Sequence, residues 1–130
     1  MNVILSIKPE YAWAILNGQK TVEFRKNVFK RKINKVLIYS SAPDQVFLGY
    51  FSVKEIDRDS PNSLWKKYSK KGCISKDKFF HYYSDKNEGT SILIKKVFKF
   101  QTPLKPKSIF KSFTPPQSFQ YCDLDLSQLT

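Results

Sequence analysis

Residues 16–26, "LNGQKTVEFRK", predict the end of a helix followed by a β-strand. Gly18 suits the left-handed turn that ends a helix, and "TVEFR" after it alternates as a β-strand does. Val22 and Phe24 then share one face of the strand, and the turn brings Lys20 near the other. The residues on that other face are Thr21, Glu23 and Arg25. Two interpretations stay open: a structural ion pair on the strand, or a polar cleft that holds a charged or base-like ligand.

Further strands and short helices are predicted around this stretch from apolar periodicity and capping residues. The predicted strands cover residues 2–7, 21–25, 36–41, 46–56 and 90–100. The predicted helices cover residues 8–18, 59–72 and 75–85. Ser60 and Ser75 are the expected N-caps of the second and third helices, and Gly49 predicts a bulge or bend in the long strand.

This succession predicts an α+β fold, a small closed or nearly closed β-barrel with short peripheral helices. We expect residues 1–130 to form one domain, because this length buries a sizeable core. Residues 101–130 are rich in proline, and we expect them to be mostly irregular and to wrap over the barrel.

The charge of the chain favours a polyanionic partner. Lys and Arg number 23 against 11 Asp and Glu, which gives a net charge of +12 and a pI near 9.7. Nucleic acid is the simplest such partner. The alternative is that the lysine excess reflects the base composition of the coding DNA, in which case the charge carries no function.

Several classes of protein are disfavoured by the sequence. No apolar run approaches the roughly 20 residues that a membrane span needs. The opening "MNVILSIKPEY" does not resemble a signal peptide. Cys73 and Cys122 are far apart, so we expect reduced thiols in a cytoplasmic protein that does not bind a membrane.

Familiar catalytic machinery is absent from the sequence. His81 is the only histidine, and with two distant cysteines it does not supply the three or four ligands of a metal site, so we expect no metal. No nucleophile elbow, phosphate-binding loop or dinucleotide fingerprint is present, and we expect no cofactor. The interpretation favoured for His81 is a residue on a helix surface or a hydrogen-bonded core histidine.

The spacing G-x-K-x-x-E-x-R, formed by Gly18, Lys20, Glu23 and Arg25, resembles the signature of the ASCH domain, a branch of the PUA-like superfamily. "IYSSAP" resembles the next strand and loop of that family, and "PPQSF" resembles a closing segment of its small prokaryotic members. The order of the three segments makes the resemblance more specific than the motif alone.

The resemblance implies a PUA-like β-barrel with a cleft beside the signature and an RNA-binding role. One branch of the family hydrolyses N4-acetylcytidine, and ribonuclease activity occurs within the family. The amidohydrolase branch keeps the lysine but has a threonine where this chain has Glu23. A binding module for RNA, a nucleotide or a nucleoside is therefore the first hypothesis. A hydrolase of a modified nucleoside or of single-stranded RNA is the second, and a protein–protein adaptor is the third.

The candidate site residues follow from these segments. The predicted ligand contacts are Lys20, Glu23, Arg25, Lys26, Lys30, Arg31, Lys32, Tyr39, Ser41, Gln117 and Ser118, and Lys20 and Glu23 are the catalytic candidates if the protein is an enzyme. The basic connector, residues 26–35, is either a phosphate track or a solvated loop. Tyr39 either stacks on a base or belongs to the core, and Gln117 and Ser118 either bind ligand or tie down the C-terminal segment. We expect Glu23→Gln to change function more than stability.

Overall fold

The computed structural model describes residues 1–26 and 29–129, and in them it contains six strands and three α-helices. The strands are β1 (Asn2–Ile7), β2 (Val22–Arg25), β3 (Lys35–Ser40), β4 (Val46–Asp59), β5 (Gly89–Leu104) and β6 (Phe119–Cys122). The α-helices are α1 (Pro9–Leu16), α2 (Pro61–Tyr68) and α3 (Lys76–Tyr82). Short 3₁₀ turns lie at Pro106–Ser108 and Leu126–Gln128.

The six strands form one curled sheet in the order β2-β5-β4-β3-β1-β6. β1 and β3 pair in parallel, and the other neighbours pair antiparallel. A parallel pair needs a crossover connection, which here contains α1 and β2. The curl brings the two ends of the sheet together, because Arg25 of β2 bonds Ser118 just before β6. The predicted α+β barrel with short helices is confirmed as a curled half-barrel.

Three apolar clusters hold these elements together. The first packs α1 against one face of β1, β3 and β4, and the second packs the opposite face against the C-terminal segment. The third joins β2 to α2 and α3, and it contains both Val22 and Phe24. These two side chains are buried, as the strand alternation predicts. Burial of a large apolar side chain contributes about 1.5–3 kcal/mol, so β2 is anchored through this face.

The helix ends follow the predicted capping residues. Ser60 and Ser75 each accept a hydrogen bond from the backbone N–H three residues on, at the starts of α2 and α3. Pro9 and Pro61 occupy first turns, where a missing N–H costs nothing. Gly18 follows α1 with φ of +83°, the conformation expected of a glycine after a helix.

The structure adds two features to the sequence interpretation and explains the glycine at position 49. β4 and β5 run beyond the predicted strands, and residues 119–122 form β6 within the segment expected to be mostly irregular. The expected irregularity at Gly49 is present, because the β3–β4 and β4–β5 registers shift beside it. The carbonyl of Phe98 lies where a Cβ on Gly49 would sit, so only glycine fits there.

Both cysteines are free thiols; Cys73 is exposed and Cys122 is buried. Among the described residues, no helix has the length and apolar character to cross a membrane. In residues 1–26 and 29–129, no three His, Cys, Asp or Glu side chains group as a metal site would.

Candidate functional site

A cleft of about 1,190 Å³ opens where α1, β2, α3 and the segment before β6 meet. The GxKxxExR signature supplies Lys20, Glu23 and Arg25 to it. The lining also includes Ser6, Lys8, Glu10, Tyr11, Lys26, Tyr39, Ser41, Ala42, Gln45, Asp77, Lys78, His81, Tyr82, Gln117 and Ser118. The cleft is therefore bordered by several elements that are distant in sequence.

The signature forms a buried ion triad at the cleft. Glu23 lies between two cations: one carboxylate oxygen is 3.3 Å from Lys20 Nζ, and the other is 3.0 Å from Arg25 Nη1. The Glu23 side chain is 7% exposed, and those of Lys20 and Arg25 are 3% and 11% exposed. A carboxylate held by two charge-assisted bonds at this depth is fixed in place. Both interpretations from the sequence keep support here, because the ion pairs are present and they line a cleft.

Lys20 is engaged on several sides. Its ammonium donates to the carbonyl of Gly72 as well as contacting Glu23. It also lies 5.1 Å from the ring centroid of Tyr11 and 5.5 Å from that of Phe24. These contacts place Lys20 at the floor of the cleft.

Arg25 closes the seam between the two ends of the sheet. Its guanidinium donates to the backbone carbonyl of Ser6 at 3.3 Å and to the hydroxyl oxygen of Ser118 at 2.8 Å. The hydroxyl of Ser6 donates to the carbonyl of Pro116 at 2.6 Å, which fixes the same segment. The planar fork of arginine suits such bridging, because it can reach several acceptors at once.

The accessible cations lie at the rim of the cleft, not in its floor. Lys8 precedes α1, Lys26 follows β2, and Lys78 lies on α3; all three are exposed. The Lys26 ammonium lies 4.7 Å from the ring centroid of Tyr82. The floor of the cleft is therefore an ion triad whose charges are paired, and the rim carries three exposed lysines together with the exposed carboxylates of Glu10 and Asp77.

Three tyrosines give the cleft an aromatic wall. Burial, reinforced by the charges of Glu10 and Glu23, raises the pKa of Tyr11. Burial also raises the pKa of Tyr39 and that of Tyr82. All three phenols therefore remain protonated donors throughout the neutral range.

Eight of the predicted ligand contacts line the cleft, and three do not. Those that line it are Lys20, Glu23, Arg25, Lys26, Tyr39, Ser41, Gln117 and Ser118. The basic residues Lys30, Arg31 and Lys32 are not among the described residues that line it. The Lys30 amide donates to the Tyr121 hydroxyl at 2.9 Å, and the Arg31 guanidinium lies 4.9 Å from the ring of Tyr121. Part of the connector, residues 27 and 28, lies outside the described residues.

Tyr39 and Ser118 each had two interpretations from the sequence, one as a ligand contact and one as a structural residue. The Tyr39 ring is 3% exposed and packs against Phe47 and Phe113, as expected of a core residue. Its hydroxyl has no hydrogen-bond partner among the described residues, so it remains able to bond a ligand. Ser118 is tied to Arg25 and to the backbone of β1, which fits the tying of the C-terminal segment.

The sequence interpretation missed the α3 side of the cleft. Lys78, His81 and Tyr82 line it, and His81 is on the helix surface, as one of its interpretations held. Lys8 and Tyr11 were missed as well. The spacing of Lys78 and Tyr82, four residues apart, showed that they share a helix face, but only the tertiary fold directs that face to the cleft.

Known proteins resemble this chain over most of its length. The sequence model of the ASCH domain matches residues 5–104. The large ribosomal subunit protein uL22 of Ureaplasma parvum is 30% identical over 120 residues. That match covers 92% of this chain but 38% of uL22, so this chain spans well under half of that relative.

Two proteins of Zymomonas mobilis match this chain over most of their own length as well as over most of this chain. An ASCH domain-containing ribonuclease is 28% identical over 125 residues, which are 91% of this chain and 82% of that protein. The crystal structure of ASCH from the same organism matches with a TM-score of 0.88 and 27% identity, over 98% of this chain and 91% of that one. A serine-to-alanine and a tyrosine-to-phenylalanine variant of it match with the same TM-score.

Proposed function

The chain belongs to the ASCH domain family, and we propose that its cleft binds single-stranded RNA. The observation that carries the proposal is the arrangement of charge in the cleft. Cations that already have partners lie in the floor, and exposed lysines lie at the rim, where the Lys26 ammonium lies over the Tyr82 ring. Single-stranded nucleic acids bind to this combination of positive charge and aromatic surface.

The rim lysines are the proposed phosphate contacts. Lys8, Lys26 and Lys78 are exposed and come from three different parts of the chain. Lys20 and Arg25 are less suited to this role, because Glu23 and backbone carbonyls occupy them. Phosphate contacts provide affinity and position without reading sequence.

The cleft wall is the proposed contact for an unpaired base. Tyr11 and Tyr82 are half-buried, which leaves part of each ring accessible. The protonated phenol of Tyr39 adds a donor for a base or phosphate oxygen. Bases of a single strand can be splayed out onto such groups, whereas those of a duplex are stacked and paired.

The test is the salt dependence of single-stranded RNA binding. The variant Lys8→Gln/Lys26→Gln/Lys78→Gln removes the rim charge. The matched control Lys70→Gln/Lys107→Gln/Lys111→Gln removes three exposed lysines that do not line the cleft. Loss of three phosphate contacts lowers the slope of log K against log salt by about 2, since each contributes roughly 0.7 on single strands. If the two triple variants had equal slopes of log K against log salt, the proposal that the rim lysines contact phosphate would be refuted.

RNA cleavage is a second candidate, favoured by the Zymomonas mobilis relative named a ribonuclease, which matches 91% of this chain. We propose that cleavage, if present, uses Tyr39 and Ser118, since an ASCH protein of the same organism has been crystallised with one serine and with one tyrosine substituted. Both residue types line the cleft here. Lys20 and Glu23 stay catalytic predictions, although their mutual contact makes a positioning role the better fit.

End-labelled single-stranded RNA distinguishes binding from cleavage. Wild-type protein that binds but leaves the label intact would restrict the function to binding. If cleavage occurs, Tyr39→Phe should reduce the rate constant at least tenfold with little change in the dissociation constant. The ring and its packing remain in this variant, so a preserved melting temperature would show that the lost hydroxyl is responsible. Ser118→Ala is less clean, because it also removes a bond to Arg25.

A further inference from the structure

Trp13 of α1 lies exposed beside the cleft, outside its lining. It is the large hydrophobic side chain that stays exposed among the described residues, at 39%. From its setting we propose that Trp13 is a stacking platform for a base of single-stranded RNA that continues out of the cleft. This inference rests on the proposed function, and it adds to the tyrosines of the cleft a stacking contact outside the cleft.

The indole is held in a fixed position rather than left free in solvent. Its Nε1–H donates to Asp44 Oδ2 at 3.0 Å, and the same oxygen accepts from the Ser40 hydroxyl at 2.8 Å. Ser40 is fully buried at the end of β3, so the chain of bonds ties the ring to the sheet. A ring fixed in this way loses little conformational freedom when a base stacks on it.

Positive charge accompanies the ring. The Lys99 ammonium of β5 lies 5.5 Å from the ring centroid of Trp13. An aromatic face beside a cation can stack a base and contact the adjacent phosphate, which is how sequence-tolerant sites hold single strands. The Lys99 ammonium over the ring therefore suits a base and its phosphate, and the Asp44 carboxylate at the ring edge is already occupied by the indole N–H and the Ser40 hydroxyl.

Two structural connections lead from the cleft to Trp13. Glu10 lines the cleft and precedes Trp13 by three residues, so the two side chains are neighbours on the surface of α1. The turn after β3 lines the cleft through Ser41, Ala42 and Gln45, while Asp44 of the same turn holds the indole. A strand that leaves the cleft over this turn reaches Trp13 next.

Fluorescence provides a direct test of contact. Trp65 is the only other tryptophan, and it packs against Phe79 at 5.0 Å, so Trp65→Phe keeps an aromatic ring there. In this background Trp13 is the sole indole. A single-stranded oligonucleotide of roughly eight nucleotides, a length within the usual range of such sites, should quench its emission. A dinucleotide that fills only the cleft should leave the emission unchanged.

Affinity provides the second measurement. Trp13→Ala should weaken binding of the longer oligonucleotide roughly 5- to 150-fold, which corresponds to about 1–3 kcal/mol per stacked base. Trp13→Phe should recover most of that loss, because a ring remains. Dinucleotide affinity should be the same in all three proteins.

The outcomes separate this inference from the function on which it rests. If the longer oligonucleotide binds the wild type without quenching, and Trp13→Ala binds equally well, then the cleft binds RNA and the platform is refuted. If neither oligonucleotide binds, the proposed function fails and the platform fails with it. Concentration-dependent self-association lost in Trp13→Ala, with RNA affinity intact, would refute the platform in favour of a protein contact.

Discussion

Glu23 has a different environment from that of an ordinary strand glutamate. Both of its carboxylate oxygens are engaged with cations, and its side chain is 7% exposed. Removing one partner of a buried ionic group leaves the other charges uncompensated, which costs more than an exposed pair contributes. The burial of the triad therefore revises the expectation from the sequence that Glu23→Gln changes function more than stability.

The first prediction is that Glu23→Gln lowers the free energy of unfolding by about 3 kcal/mol, the lower end for breaking a buried pair. The amide oxygen can still accept one bond, but the amide nitrogen meets a second cation. Glu88→Gln is the matched control, because the Arg58–Glu88 pair is half exposed and contributes about 0–1 kcal/mol. Chemical denaturation of both variants measures the difference. Equal losses would contradict a structural role for the triad.

Asp57 links β4 to α2. Its carboxylate accepts from Lys67 Nζ at 2.8 Å and from the Tyr68 hydroxyl at 2.6 Å. The hydrogen bonds from Lys67 and Tyr68 lower the pKa of Asp57, whereas burial acts in the opposite direction. The stabilising contribution of such a carboxylate is present above the pKa of the unfolded chain, near 3.8, and is lost as pH falls through the lower folded value.

The second prediction follows from the lowered pKa of Asp57. Asp57→Asn should lower stability at pH 7, and the gap from the wild type should narrow as pH falls below about 4. Thermal unfolding across a pH series measures the gap. Asp85→Asn is the control, since Asp85 is exposed and has no ion pair among the described residues. A gap that stays constant down to pH 2 would show that the effect is not electrostatic.

The elements differed in how far the sequence could predict them. Strand β1 and helix α1 were predictable because apolar periodicity, Pro9 and Gly18 are local signals. Strand β6 was not, because it follows two prolines and its pairing partner Asn2–Ile7 lies over a hundred residues away. The register that pairs Leu5 with Phe119 is a tertiary fact that no local window contains.

The candidate site also has features that the local sequence predicts and features that depend on the tertiary fold. Alternation along β2 was enough to place Glu23 and Arg25 on one face, because a strand's period is two. That face points to the other end of the sheet, where Arg25 meets Ser118, and this depends on the curl of all six strands. The depth of burial of Lys20 also followed from tertiary packing, since its partner Gly72 is distant in sequence.

Closure of the half-barrel depends on a side chain as well as on backbone pairing. β2 and β6 are the two ends of the sheet, and neither pairs with the other in the described residues. Arg25 bridges that seam by donating to Ser6 and to Ser118. The amide of Ser6 also donates to the Ser118 carbonyl at 3.0 Å, so both bonds hold the same segment.

The third prediction is that Arg25→Lys loosens the C-terminal end of the sheet while the rest stays folded. A lysine keeps the charge and can still contact Glu23, but its single ammonium cannot span acceptors on both sides of the seam. The lost charge-assisted bonds should lower stability by about 1.5–3 kcal/mol. Amide hydrogen exchange should become faster in β6 and at Ser6, and remain slow in the β4–β5 pair, because local opening follows the weakened contacts.

Arg58→Lys provides the matched comparison, since Arg58 makes an exposed pair with Glu88 away from the seam. It should leave exchange in β6 unchanged and alter stability by less than about 1 kcal/mol. If Arg25→Lys left β6 protected and lowered stability only as much as Arg58→Lys does, the seam would be held by backbone bonds alone. The arginine of the signature would then be available for a ligand, and the phosphate contacts proposed for the rim would have to be shared with the floor.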